Sequence, residues 1–288
     1  MRQELVRMNS IDEIELPGIL YTPDKDTDRI VIHVHGLNWN FYENRFIDTL
    51  AKSYTDKNYA FLTFNNRGTG FITELIKWDD FAIIWWCLER FQDCMLDIEG
   101  VVNWIKSRWY KEIILEWHSY GCNKILYYYN YKKDINIKQI VLLAPCDMPS
   151  LTKKFLSEEE YNIAKDESAK LVKEHKENEL INFSIMANEK IAAGTFYNDF
   201  LPGGENDFIR YRDGVDAKSE LLNSIDIPML IIFWVEDDCV LTQPIEVVTW
   251  YLRNNINNCN VQIIQGADHL YTGKYEELGN IIKNYINR

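Results

Sequence analysis

Three groups along the chain carry the residue types that acyl transfer requires, in the order serine, carboxylates, histidine. The serine is Ser119, in Trp117-His118-Ser119-Tyr120-Gly121. A serine hydroxyl is a weak nucleophile near neutral pH, so it needs a neighbouring base, and the base needs an acid to hold its orientation. Of the five histidines only His175 and His269 follow Ser119. His175 sits in VKEHKENE, which reads as a solvated helix face, whereas His269 ends Gln265-Gly266-Ala267-Asp268-His269, a glycine-bearing loop suited to presenting a base. The carboxylates are Glu236, Asp237 and Asp238; position after the preceding strand favours Asp238, then Asp237, with Asp147 as an outside candidate. Asp268 is expected to brace the histidine's own loop.

Each group must be held by an element that ends beside the others. Residues 113–115 form a short apolar run that suits a buried strand, and the segment after Gly121 has the apolar spacing of a helix, so Ser119 falls at a strand-to-helix turn. Such a turn lifts the hydroxyl clear of a sheet and aims a helix N-terminus at developing negative charge. One departure stands out: Trp117 occupies a position where this kind of turn commonly has glycine, so a shifted strand or helix has to house an indole. The carboxylate cluster follows a strand over 230–235, and His269 follows a strand over 261–264. Further strands are predicted over 15–22, 29–34, 60–64 and 140–143. Helices are predicted over 40–54, 88–106, 246–255 and 275–286. This alternation argues an α/β protein with a mostly parallel central sheet and helices on both faces. Between 148 and 225 it breaks into charged, helical sequence around 157–175 and 188–193. The expected organisation is a core of 1–147 and 226–288 with an inserted helical cap over 148–225.

The net charge of −13 disfavours nucleic acid and anionic membrane as partners. No stretch reads as a signal peptide, and the longest apolar run, residues 81–88, is too short to span a bilayer. The six cysteines lack metal-ligand or paired spacing, so no metal, cofactor or disulfide framework is expected. The expectation is a soluble, cytoplasmic protein acting on a small molecule; oligomeric state is not legible.

The segments 33–47, 64–73, 89–100, 118–128, 142–148 and 266–269 resemble α/β-hydrolases related to siderophore ester hydrolases, a fungal and bacterial group, and the resemblance covers most of the core. It implies Ser119 as nucleophile, Asp238 as acid and His269 as base. The backbone N–H groups of Leu37, in His35-Gly36-Leu37-Asn38, and of Tyr120 would hold the oxyanion. His33 and His35 are read as core or loop histidines, and Asn38 stands where the group often has another small residue. The implied function is a serine hydrolase cleaving a carboxylic ester through an acyl-enzyme. Acyl transfer to another acceptor and thioester or amide cleavage use the same machinery, and Trp117 keeps open a non-catalytic ligand-binding protein on the same scaffold. Trp39, Phe41 and Tyr42 after the His-Gly loop, and Phe183, Phe196, Tyr197 and Phe200 in the cap, are candidates to line an apolar substrate site.

Overall fold

A computed structural model describes residues 1–70, 73–78, 80–181, 190–235 and 239–286. Its centre is an eight-stranded sheet. In chain order the elements are β1 (Arg2–Asn9), β2 (Glu15–Thr22), β3 (Arg29–Val34), α1 (Phe46–Thr55), β4 (Ala60–Phe64), β5 (Thr73–Lys77) and β6 (Asp80–Ile84). Then come α2 (Cys94–Ser107), β7 (Glu112–His118), α3 (Gly121–Lys132), β8 (Ile137–Leu143), α4 (Met148–Phe155), α5 (Glu158–Lys173), α6 (Ala193–Phe200) and α7 (Glu220–Asn223). The chain finishes with β9 (Met229–Trp234), α8 (Ile245–Asn255), β10 (Cys259–Ile264) and α9 (Tyr275–Tyr285). The sheet order is β1-β2-β4-β3-β7-β8-β9-β10; β1 and β2 are antiparallel and the strands from β4 to β10 run parallel. β7 therefore sits centrally, and β3, β4, β8 and β9 around it are apolar and buried almost throughout, as strands covered on both faces must be. Helices α1 and α9 pack together, as do α2 and α3. No helix among the described residues is long and apolar enough to cross a membrane.

Several expectations shift. β1 was not legible, because its charged residues alternate with Val6 and Met8, which are the buried ones. The helix expected from residue 40 begins at Phe46, since Asn40 instead folds a turn by accepting the N–H groups of Tyr42 and Glu43 on its side chain. The helix expected from residue 88 begins as a 3-10 turn over Phe91–Asp93 before α2. The apolar run from residue 81 opens with β6, which pairs with β5 in a separate hairpin that leaves Ile76, Trp78, Phe81 and Ile83 exposed. Between β8 and β9 the described residues form α4 to α7 and no strand of the main sheet. α5 begins in a capping box of Ser157 and Glu160 close to the expected start. α6 begins at Ala193, where the helical run expected over 188–193 ends; residues 188 and 189 lie outside the described residues.

Candidate active site

Ser119 directly follows β7 in a left-handed backbone conformation, φ +57°, and α3 starts two residues later at Gly121. Non-glycine residues adopt this region at a cost of about 1–3 kcal/mol, held by surrounding structure. Here the Ser119 N–H donates to the Leu143 carbonyl of β8 at 2.7 Å, and its own carbonyl accepts from the Cys122 N–H at 2.9 Å. The strained turn is thus pinned on both sides. Its hydroxyl lies 3.1 Å from His269 Nε2, within hydrogen-bond reach although the two residues are 150 positions apart. Cys146 Sγ lies 3.7 Å from the same hydroxyl.

The indole of Trp117 is accommodated rather than disruptive. It is buried, and its Nε1–H donates to the His35 carbonyl at 2.6 Å, tying β7 to the His-Gly loop. The space it fills is the one a side chain at position 121 would need: a Cβ built on Gly121 would fall 1.2 Å from Trp117 Nε1. The glycine at the start of α3 therefore makes room for the large residue before the serine. Gly36 is constrained less severely: a Cβ there would approach Ser119 Cβ to 3.1 Å, a tight contact rather than an overlap. Asn38, the other departure, has φ +60°, a conformation asparagine tolerates better than most residues. The N–H groups of Leu37 and Tyr120 have no acceptor among the described residues.

His118 braces the His269 loop. It is fully buried, its Nε2–H donates to the His269 carbonyl at 2.9 Å, and its ring lies 4.6 Å from the His269 ring. Burial, and secondarily the charge His269 can carry, hold His118 well below the usual imidazole range, so it stays neutral. Asp268 braces the same loop by accepting the N–H groups of Leu270 and Thr272. Under the sheet, His33 Nδ1–H donates to Glu116 at 2.9 Å, and Tyr54 donates to the other oxygen of that carboxylate. His35 donates to the Gly36 carbonyl and accepts from the Asn66 N–H; burial pushes it down to about 3. His175 is exposed just beyond α5. Tyr120 turns its hydroxyl away from the serine to donate to Asp199 of α6 at 2.6 Å. With the Asn123–Asn206 side-chain bond, this fastens the inserted helices to α3.

Of the four candidate acids, Glu236, Asp237 and Asp238 lie outside the described residues. Asp147 is engaged elsewhere: it caps α4 through the Ser150 N–H and accepts from both the Arg212 guanidinium, at 2.5 Å, and the Arg212 N–H. Burial pushes Asp147 up to about 6, against the pull of Arg212. The folded protein thus holds this proton above the pH, near 3.8, at which the unfolded chain releases it. Stability conferred by the protonated form is full below 3.8 and is lost as pH rises to about 6. Asp147→Asn should remove that dependence, so the stability difference between wild type and variant should change by ~2 kcal/mol between pH 4 and 6 in urea unfolding. Ester hydrolysis by the variant should stay within about fivefold of wild type; a loss of several hundredfold would make Asp147 the acid.

A cavity of about 360 Å³ opens over Ser119 and His269, walled by Leu37, Trp39, Met148, Leu151, Phe155 and Phe200, with Cys146, Cys239 and Val240 also contributing. Of the aromatic candidates, Trp39 and Phe200 line it. Phe41 does not; it packs edge-on against Tyr42 while its N–H is held by Asn65. Phe196 is fully buried and stacks on Phe200 one helical turn away, so the helix register turns it into the core. Tyr197 faces an outer groove with Tyr161 and Lys165. Phe183 lies outside the described residues. Sequence reasoning missed Met148, Leu151 and Phe155, whose signal was their spacing on the first turns after β8.

Solved structures similar to this one share its fold. Est1E from Butyrivibrio proteoclasticus, solved with ferulic acid bound, superposes with a TM-score of 0.70 at 18% identity over 98% of each chain. An esterase domain from a Rhodothermus marinus protein gives 0.64 at 14% identity, over 99% of this chain and 98% of that one. An alpha-beta serine hydrolase homologue from Coxiella burnetii gives 0.61 at 16%, again over 99% and 98%. No curated protein sequence matches the chain. The fold is that of the α/β-hydrolases. Within it, the family model described as "Protein of unknown function (DUF1749)" matches residues 82–286, and the chain belongs to that family.

Proposed function

We propose that the protein is a serine hydrolase that cleaves a carboxylic ester of a small molecule through an acyl-enzyme. The observation that carries this reading is the 3.1 Å approach of His269 Nε2 to the hydroxyl of a serine held at positive φ at the end of the central strand. In the proposed mechanism, His269 takes the Ser119 proton as Oγ attacks the ester carbonyl, and the tetrahedral oxyanion is held by the Leu37 and Tyr120 N–H groups. Collapse expels the alcohol, which receives the proton from His269. Water, deprotonated by the same imidazole, then attacks the acyl-enzyme and releases the carboxylic acid and free Ser119. Asp238 is the acid we assign to orient His269, on the strength of its place after β9.

The apolar cavity over the serine, and the esterases among the similar structures, favour an ester over a charged substrate. We assign α4 to α7 as a cap, fastened by Tyr120 and Asn123 rather than freely swinging. The six free cysteines suit a reducing compartment such as the cytoplasm, and the net charge of −13 suits neither nucleic acid nor anionic membrane as partner. A fluorophosphonate probe should label the wild-type protein and an outer-groove variant such as Tyr197→Ala but not Ser119→Ala. Absence of wild-type labelling under conditions that label a reference serine esterase would instead favour a binding protein.

A further inference from the structure

The cavity is specialised in a way that the reaction itself does not require. Its polar reacting groups, Ser119 and His269, lie together, and the rest of the wall is largely apolar: Cys146 beside the hydroxyl, Met148, Leu151 and Phe155 from α4, and Phe200 from α6. The two hydroxyl-bearing side chains in the wall are committed elsewhere. Thr152 donates to the Met148 carbonyl at 2.9 Å and Tyr120 donates to Asp199. No Lys, Arg, Asp or Glu lines the cavity among the described residues, although the chain as a whole carries a net charge of −13. An ionised group entering this space would lose its water and meet no charged side chain among the described residues of the wall.

The two halves of an ester make different demands. The alcohol must receive a proton from His269, whose loop carries the exposed residues Gly266 and Asp268, so its exit toward solvent is short. The acyl half stays bonded to Ser119 through the second step and needs covered space running away from the hydroxyl. That space is the α4 side. About 360 Å³, at about 30 Å³ per non-hydrogen atom as in liquid water, holds on the order of twelve atoms. Phe155 is 53% exposed, so the wall it contributes is open to solvent.

Resting on the serine-hydrolase reading above, we propose that the α4–α6 cavity binds an uncharged apolar acyl chain of about six to ten carbons, with Leu151 and Phe155 gauging its length. Each methylene taken from water into such a wall strengthens binding about fourfold. The test is kcat/KM for p-nitrophenyl esters from acetate to laurate, together with the mono-ester of octanedioic acid, whose chain ends in a carboxylate. The expected profile rises tenfold or more from acetate to octanoate and falls tenfold or more when the terminal carboxylate is added. Leu151→Trp, which adds bulk to the cavity wall, should lower the octanoate-to-acetate ratio at least tenfold. Phe155→Ala should move the optimum to longer chains. These ratios are internal to each protein, so partial misfolding does not alter them, and the wild-type profile decides even where both variants fail to fold. A flat profile, a preference for acetate, or a stronger dependence on alcohol length than on acyl length overturns the proposal while fluorophosphonate labelling of Ser119 upholds the hydrolase reading. Absence of both turnover and labelling overturns the two together.

Discussion

Ser119→Ala is expected to lower kcat/KM for ester hydrolysis by about 10⁴- to 10⁶-fold, and His269→Ala by a similar factor, with the double variant little worse than either single one. The non-additivity follows from the shared bond: with the imidazole 3.1 Å from the hydroxyl, removing either partner removes the same proton transfer. In the proposed mechanism the residual rate would come from the Leu37 and Tyr120 amides, which would polarise the carbonyl oxygen without the serine. The folded state should tolerate the serine variant well. The backbone bonds that pin position 119, to Leu143 and Cys122, involve main-chain atoms only. Ser119→Gly should even gain stability by about 1 kcal/mol, because glycine adopts φ +57° without a Cβ penalty. Steady-state kinetics on wild type, the two alanine variants and their double variant, with thermal unfolding of wild type, Ser119→Ala and Ser119→Gly, checks both halves. Additive losses from the serine and histidine changes would mean that the two side chains do not act as a unit.

Much of this arrangement is legible from residue order. The strands carrying Ser119 and His269 announce themselves by runs of β-branched and aliphatic residues, and both residues follow strand ends in the structure as they do in the sequence. What the sequence hides is registration. Phe196 and Phe200 belong to one helix and look interchangeable as candidates, yet only the second faces the cavity. The Tyr120–Asp199 bond joins residues 79 positions apart, with no local pattern to mark it. The hairpin of β5 and β6 hides for a different reason: its apolar residues look like core, but Ile76, Phe81 and Ile83 point outward, so hydrophobicity and burial part company there. Phe41 looks like a mouth residue by its nearness to Gly36 in sequence, but Asn65 draws its backbone aside.

The residue that looked most like a defect yields the second large prediction. Trp117→Gly would restore the more common elbow sequence, yet it should destabilise the protein by about 4–6 kcal/mol. The loss combines a large buried side chain, worth about 3–5 kcal/mol, with the His35 carbonyl left without its indole donor. Gly121→Ala should cost at least ~3 kcal/mol in the wild-type background, because its new Cβ would overlap the indole and backbone would have to move. In the Trp117→Gly background that clash is gone, and alanine in the first turn of α3 is a better helix former than glycine by roughly 0.5–1 kcal/mol. The double variant should therefore be no less stable than Trp117→Gly alone, giving a coupling energy of at least ~3 kcal/mol in a double-mutant cycle. Urea unfolding of the four proteins measures it. Activity should follow the same logic: freeing the His35 carbonyl loosens the loop that carries Leu37, so Trp117→Gly should lower kcat by about tenfold even where the protein remains folded. Independent, additive costs at 117 and 121 would show that the indole and the start of α3 do not compete for one space, and that the elbow tolerates tryptophan for another reason.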